Sequence, residues 1–283
     1  MRVTKRRGDE RSLERIRAHY LVERELADRI RRAQGPDERR RIFSTMYDEL
    51  FERVPDHPRL IADEERVERR ARDLDWNLAQ LRPYLFDDCS FLEIGAGDCA
   101  LSVQVARRVR HVYAVDISDQ TQGRTLPSNC ELVISDGRSI PVPEASVDVA
   151  FSDQLMEHLH PDDAMEQLRR IRACLRPGGT YVCITPNRLY GPTDVSGYFD
   201  EVAKGFHLRE YSLREIRGLF TASGFGHLDV YVGARGWFAR CPARPLETVE
   251  SVLEHLPSRM RRRVARTRPL RALLGLRVAA TRS

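Results

Sequence analysis

Glu93 stands two residues ahead of the turn Gly95-Ala96-Gly97, at the end of the short apolar run Phe91-Leu92-Glu93-Ile94. An apolar run, a Gly-x-Gly turn and a helical stretch from Cys99 to Arg110 predict strand, tight turn and helix. Glycine permits positive φ there and lets a ligand approach the main chain closely. A helix N-terminus behind such a turn commonly receives a pyrophosphate, which the Glu93 carboxylate would repel. A ligand carrying an ammonium and a sulfonium, with no phosphate, would instead be held by that charge. The next apolar run, His111 to Ser118, carries Asp116 about twenty residues past the turn, where an acid that binds ribose hydroxyls is expected. A third run, Glu131 to Gly137, finishes on Asp136. An acid at each of three consecutive strand tips is far more specific than the glycines alone.

These tips need a scaffold. The centre of the chain alternates strand and helix patterns, with strands predicted near 91–94, 111–116, 131–135, 147–152 and 180–185 and a sixth over 227–232. That alternation is the signature of a parallel sheet with helices on both faces. The second crossover, Asp119 to Asn129, is short and polar, with room for a turn or two of helix. Further helices are expected from Asp162 to Leu175, closed by Pro177-Gly178-Gly179, and from Ser212 to Ser223, closed by Gly224. Residues 9 to about 83 read as three helices. The first spans Arg11 to Arg32, Gly35-Pro36 opens the second, Pro55 and Pro58 end it, and the third runs from about Leu60 to Leu81.

The phosphate-free cation that fits these acids is S-adenosylmethionine, and here the chain resembles the class I methyltransferases that use it, in particular their small-molecule, type 11-like branch. The resemblance rests on the 91–98 motif, on Asp116 and Asp136, on the strand and loop from Val147 to Leu159, and on Leu175 to Ile184. It covers roughly residues 85–233, with a last strand near Leu274 to Thr281. It implies an α/β, Rossmann-like, doubly wound and mostly parallel seven-stranded sheet. Residues 1–83 would form an N-terminal helical cap, and 84–283 the methyltransferase domain. An insertion at 233–273, holding helices over Leu246 to His255 and Pro257 to Arg266, would precede the last strand. The implied cofactor site comprises Glu93, Gly95 and Gly97 around the methionine part and Asp116 with Ile117 at the ribose. Asp136 and Gly137 would border the adenine, and Asp153 would lie at the end of the fourth strand. Where the family often has a third glycine this chain has Cys99, a residue small enough to begin the helix.

Methyl transfer from a sulfonium is an in-line displacement, so positioning matters most, and a hydroxyl nucleophile gains further from a base near neutral pKa. Histidine is the natural base. Glu157, His158 and His160 follow the fourth strand, where a ligand crevice is expected, and His158 is the first candidate. His207, in Gly205-Phe-His-Leu-Arg-Glu-Tyr211, is the second, with Tyr211 as a helper. The competing reading of either histidine is a packed loop residue. His19, His57, His111, His227 and His255 have no comparable setting. The long loop from Pro186 to Phe199, rich in aromatics, reads as a substrate wall. No His-x-x-x-His, carboxylate cluster or thiolate group has metal-ligand spacing, so no metal is expected, and no Gly-x-Ser-x-Gly supports a hydrolase.

Composition sets the outer bounds. The chain has 283 residues, 41% hydrophobic, with no run long enough to span a membrane. Met1 to Gly8 lacks the apolar segment of a secretory signal. Six scattered cysteines without a Cys-x-x-Cys pair suit free thiols in a reducing cytoplasm. The net charge of +5 is a C-terminal property: nine arginines and no acid follow His255, leaving 38 basic against 42 acidic groups elsewhere. That tail keeps open a nucleic-acid methyltransferase, which the lack of an Asn/Asp-Pro-Pro-Tyr/Phe motif and of interleaved aromatics disfavours. Gly95-Ala-Gly97-Asp-Cys-Ala100 also satisfies a dinucleotide fingerprint formally, against which Glu93 and Asp136 argue. The leading expectation is methyl transfer to a small organic acceptor, most plausibly at oxygen. A cofactor-binding protein without turnover and a homo-oligomer both stay open.

Overall fold

The computed structural model describes residues 9–60 and 64–283. Met1 to Gly8, read above as lacking a signal, and positions 61–63 near the expected start of the third helix lie outside the described residues.

The parallel part of the sheet consists of β1 (Ser90–Ile94), β2 (His111–Asp116), β3 (Cys130–Ile134), β4 (Val147–Asp153) and β5 (Leu175–Thr185). Three further strands follow, β6 (His227–Ala234), β7 (Trp237–Cys241) and β8 (Leu276–Thr281), and the order across the sheet is β3-β2-β1-β4-β5-β8-β6-β7. β8 enters antiparallel between β5 and β6. The direction of strand order reverses between β1 and β4, so the crevice at their carboxyl ends is where a ligand of a doubly wound sheet binds.

Side-chain alternation explains why both faces are covered. Phe91, Val112, Val149, Phe151 and Val182 point to one face and pack with Leu81 and Val105. Leu92, Val115, Ala150, Tyr181 and Cys183 point to the other and meet Leu168, Ile171, Ile216 and Phe220. The first layer is supplied by α3 (Glu64–Leu81) and α4 (Ala100–Ala106), the second by α5 (Pro161–Cys174) and α6 (Leu213–Ala222). Strands buried on both faces need continuous apolar runs, and β1 is buried at every position. α6 starts on a capping box in which Ser212 accepts from the Glu215 amide and Glu215 accepts from the Ser212 amide.

α1 (Leu13–Arg32) and α2 (Pro36–Arg53) pack against each other around Leu26, Ile30, Met46 and Leu50, in a cluster that also takes in Phe206. Thus α3 lies on the sheet, whereas α1 and α2 sit over the loop that precedes α6.

Three expectations need correction. The sheet has eight strands rather than seven, because Trp237 to Cys241, assigned to the insertion, pairs with β6 as an edge strand. Arg235 and Gly236 both adopt positive φ, 57° and 80°, which makes the tight two-residue hairpin turn that matches strand twist. Arginine is an uncommon first residue of such a turn, so the signal was weak. The segment after β7 holds three helices instead of two, α7 (Ala243–Glu254), α8 (Ser258–Ala265) and α9 (Arg268–Leu274). Between β2 and β3 there is no helix; Gln122 and Gly123 turn the chain with positive φ instead.

Candidate functional site

The loop after β1 is tied to the end of β2. The Gly95 amide donates to the Val115 carbonyl at 2.9 Å and the Gly97 amide to Asp116 Oδ2 at 2.8 Å. Gly95 and Gly97 have φ of 78° and 54°, and Cys99 follows in the same left-handed region at 59°. Cys99 therefore keeps the backbone that a third glycine would adopt, at a cost of about 1–2 kcal/mol for an L-residue. Asp116 Oδ1 accepts from the Ser118 amide at 3.2 Å. Its carboxylate is thus aimed by two backbone donors and retains lone pairs for further donors. Ile117 is exposed beside it, and a Cβ added to Gly137 would lie 3.3 Å from the Ile117 side chain. That places a small, open backbone next to an apolar surface.

Glu93 is buried, and Ser102 Oγ from α4 donates to its Oε2 at 2.6 Å. Burial pushes its carboxyl up to about 8, with the charges of Asp153 and Asp98 adding to the rise and Ser102 opposing it. A cation arriving beside Glu93 would restore its ionised form. Asp153 behaves similarly: burial raises its carboxyl, while Asn77 Nδ2 from α3 donates to Oδ2 at 2.9 Å. Asp136 has a different environment. Its Oδ1 accepts from the Ser139 amide and hydroxyl, each at 2.7 Å, and its Oδ2 from Arg40 of α2 at 3.2 Å. These bonds outweigh desolvation and hold Asp136 well below the usual carboxylate range. Asp136 therefore shapes the turn after β3 and ties it to α2, besides standing at the strand tip.

The post-β4 loop closes the other side of the crevice. Leu155 packs over Gly95, and residues Met156–His158 form a single turn of 3-10 helix. That turn presents Glu157 and His158 next to His207, fifty residues further along the chain. One ligand-type atom from each of the three lies within 4.8 Å of the others. The two imidazole rings meet edge to face with centroids 4.9 Å apart. His158 Nδ1 donates to the Phe206 carbonyl at 3.0 Å. His207 Nδ1 donates to Glu210 Oε1 at 2.8 Å, and Thr193 Oγ1 donates to the same oxygen at 2.7 Å. With Nδ1 protonated, each neutral ring leaves Nε2 as a free lone pair. Thr185 Oγ1 donates to Glu157 Oε2 at 2.9 Å, whereas the buried Oε1 has no hydrogen-bond partner.

Burial, reinforced by neighbouring His207, lowers His158 to about 3. His207 is desolvated too, but its bond to Glu210 and the charges of Glu157 and Asp194 outweigh this and raise it. Burial lifts Glu157 to about 7 against the opposing pull of His207. The structure thus brings the two candidate bases together, and of the two only His207 has a carboxylate behind it. Glu210, Thr185 and Ser102 were not singled out from the sequence, because nothing in their spacing reveals a partner across the fold. Tyr211 is buried in the main core with its hydroxyl unpartnered, and burial pushes it up to about 12. His160 caps α5, its Nδ1 accepting from the Asp162 amide.

His19 and His57, given no special setting above, flank the buried Glu23 in a second cluster. Here the rings are turned the other way: His19 Nδ1 accepts from Arg11 and His57 Nδ1 from the Arg59 amide. Their protons therefore sit on Nε2, and His19 donates to Glu23 at 2.8 Å. Glu23 also accepts from the Phe206 amide at 3.3 Å. This cluster fastens α1 to the loop that carries His207.

The loop from Pro186 to Phe199 is ordered around buried Leu189, Tyr190 and Tyr198. All six cysteines are free thiols. Among the described residues no helix is long and apolar enough to cross a membrane. Part of the C-terminal arginine excess is internal: Arg262 donates to the Asp200 carbonyl, Arg266 to those of Tyr190 and Pro192, and Arg282 to those of Arg172 and Ala173.

A family model described as a methyltransferase domain matches residues 92–183. A Mycolicibacterium smegmatis protein named a probable S-adenosylmethionine-dependent methyltransferase is 31% identical over 151 residues, covering 50% of this chain and 55% of that one. The chain spans about half the length of the curated relatives it matches. Among solved structures it is similar to the Burkholderia thailandensis 1,6-didemethyltoxoflavin-N1-methyltransferase, with TM-score 0.55 and 16% identity over 88% of this chain and 91% of that one. The methyltransferase of the Haloferax volcanii Trm112 activator complex has TM-score 0.52 and 16% identity over 74% and 90%. At these identities the likeness is one of fold. Sheet order, glycine loop and strand-tip acids agree with that fold, and within it residues 92–183 match a methyltransferase domain.

Proposed function

We propose that this protein transfers the methyl group of S-adenosylmethionine to an oxygen of a small organic acceptor. The observation that carries the reading is the His207–Glu210 pair facing the buried Glu157 at the carboxyl end of β4. The cofactor would lie along the carboxyl ends of β1 to β3. Glu93 would face its ammonium and sulfonium end, Asp116 its ribose hydroxyls, and Ile117 with Gly137 its adenine. The acceptor would enter over the post-β4 turn, below the loop held by α1 and α2.

In the reaction the acceptor oxygen forms a bond to the methyl carbon as the carbon–sulfur bond breaks. The bonding pair returns to sulfur, which becomes a neutral thioether. His207 Nε2 takes the hydroxyl proton, and Glu210 fixes the ring and stabilises its charged form. Such a base contributes roughly 10²–10⁴ in rate. The dependence of imidazole orientation on α1 and α2 supports reading these helices as a cap over the acceptor. Unpaired thiols favour a reducing compartment, the cytoplasm.

The test is release of S-adenosylhomocysteine across a panel of hydroxyl, amine and thiol acceptors, with binding of S-adenosylmethionine measured in parallel. Turnover with a hydroxyl acceptor that collapses in His207→Ala while cofactor binding persists is the expected result. Transfer confined to nitrogen or sulfur acceptors would overturn the assignment to oxygen.

A further inference from the structure

We propose that Glu157, His158 and His207 together bind one divalent transition-metal ion, through a Glu157 carboxylate oxygen and the Nε2 atoms of both histidines. Two imidazoles and one carboxylate form a donor set suited to iron, cobalt, nickel or zinc, with coordination positions left open for substrate.

Three independent features converge on this site. First, one ligand-type atom from each residue lies within 4.8 Å of the others, although the residues come from two distant segments. Second, each ligand has the supporting bond that metal sites require. His158 is held by a backbone carbonyl, His207 by the Glu210 carboxylate, and Glu157 by the Thr185 hydroxyl. Such bonds fix the tautomer with Nε2 unprotonated and raise the basicity of the ligand. Third, Glu157 is 0% exposed and its Oε1 has no donor at all. A buried carboxylate oxygen left unpaired is costly, and a cation between it and two lone pairs removes that cost.

The second cluster is an internal control. His19, Glu23 and His57 have the same composition and lie closer still, with the two Nε2 atoms 2.8 and 3.9 Å from Glu23 Oε1. There the Nδ1 atoms face donors, from Arg11 and the Arg59 amide, so the Nε2 atoms carry protons. A cation at Glu23 would have to displace those protons and strand both donors. Ring orientation, rather than residue type, separates a site from a joint.

This proposal rests on the methyl-transfer reading only for the ion's catalytic consequence, and there it replaces His207 as the proton acceptor, because one Nε2 lone pair cannot hold both the ion and a proton. An acceptor hydroxyl occupying an open position would be acidified by the metal. Its proton would pass to solvent water instead of to His207, and the oxygen would then displace the thioether as described. The preferred acceptor would be one whose oxygen can coordinate a metal.

The test uses Co²⁺ as the probe, added to the 283-residue chain after chelator treatment and dialysis. Binding is followed by calorimetry and by visible d–d absorption. The expected result is a single equivalent bound with a d–d band. Glu157→Gln and His207→Ala should each weaken binding about 100-fold, and Glu210→Gln, which removes only a supporting bond, by ~10–100-fold. His227→Ala, at an exposed histidine on β6, should leave the band in place. Cofactor binding and thermal unfolding identify any variant that fails to fold, and the nearly isosteric Glu157→Gln then decides. The proposal is overturned if wild type shows no d–d band at millimolar cobalt, or if the band survives in both Glu157→Gln and His207→Ala. Cobalt binding without transfer to any hydroxyl acceptor would sink the oxygen reading and leave the metal site standing. Transfer that proceeds in protein unable to bind cobalt would do the reverse.

Discussion

His158 Nδ1 lies 3.0 Å from the carbonyl oxygen of Phe206, the residue immediately before His207. One peptide unit thereby sets the orientation of the first imidazole and carries the second. The Phe206 amide is bonded to Glu23 of α1, and its ring meets Tyr47 of α2 edge to face at 5.2 Å. The geometry of the candidate acceptor site is consequently coupled to the docking of the N-terminal helices.

Glu210→Gln should lower turnover about 10–100-fold while cofactor affinity stays within error, because Glu210 touches His207 and no cofactor-binding residue. Either as the group orienting a base or as a support for a metal ligand, the carboxylate acts through the imidazole. Steady-state kinetics beside calorimetric titration with S-adenosylmethionine separates the two effects. An equal loss of cofactor affinity would show that the variant disturbs the fold instead.

Cofactor affinity should rise with pH. Glu93 holds its proton up to about 8 in the free protein against a reference of 4.5, being buried beside Asp153 and Asp98 with Ser102 as its hydrogen-bond donor. Since the folded state binds this proton more tightly, Glu93 favours folding most below about 4.5. That contribution is lost as pH climbs towards 8. A cationic ligand prefers the ionised carboxylate, so binding should strengthen by up to ~10-fold per pH unit below that value, with proton release. Calorimetry in buffers of different ionisation enthalpy measures the released proton. In Glu93→Gln the affinity should be weaker and this pH dependence absent.

Asp116→Asn should weaken S-adenosylmethionine by roughly 10–100-fold, the loss of charge-assisted bonds worth about 1.5–3 kcal/mol. The amide can still accept from Gly97, at 2.8 Å in the native protein, so the glycine loop should survive. Near-native thermal unfolding with lost affinity is the expected pair of observations. Retained affinity would remove Asp116 from the ribose site.

Arg39 of α2 grips Asp163 of α5 with two parallel bonds of 2.6 and 2.7 Å, and the guanidinium side chain is only 6% exposed. Arg39→Ala should cost about 3 kcal/mol, since it leaves a partly buried carboxylate without its partner. Adding Asp163→Asn should recover part of the loss in urea unfolding. A purely additive double variant would mean that the pair contributes no coupling.

Much of the candidate site is visible in one dimension. Glu93, Gly95, Gly97, Asp116 and Asp136 announce themselves because each lies within or just after the end of an apolar run, and the parallel sheet brings such ends to one edge. His158 and His207 were recognisable as candidates through residue type and loop position. Their convergence was not, since spacing along the chain carries no information about contacts fifty residues apart. Search by local ligand spacing could not register that Glu157, His158 and His207 come together, because they lie on segments far apart in the chain. Trp237 to Cys241 shows the same limit at the level of secondary structure: an exposed edge strand lacks the continuous apolar run that marks β1.

Hydrophobic periodicity and turn chemistry are local, so the α/β architecture and the placing of acids at the carboxyl ends of its strands could be inferred from residue order. Ring tautomers depend on which donor or acceptor the folded chain places against each Nδ1. Only tertiary packing made His158 and His207 a pair with free lone pairs around Glu157, and turned His19 and His57 into a joint around Glu23.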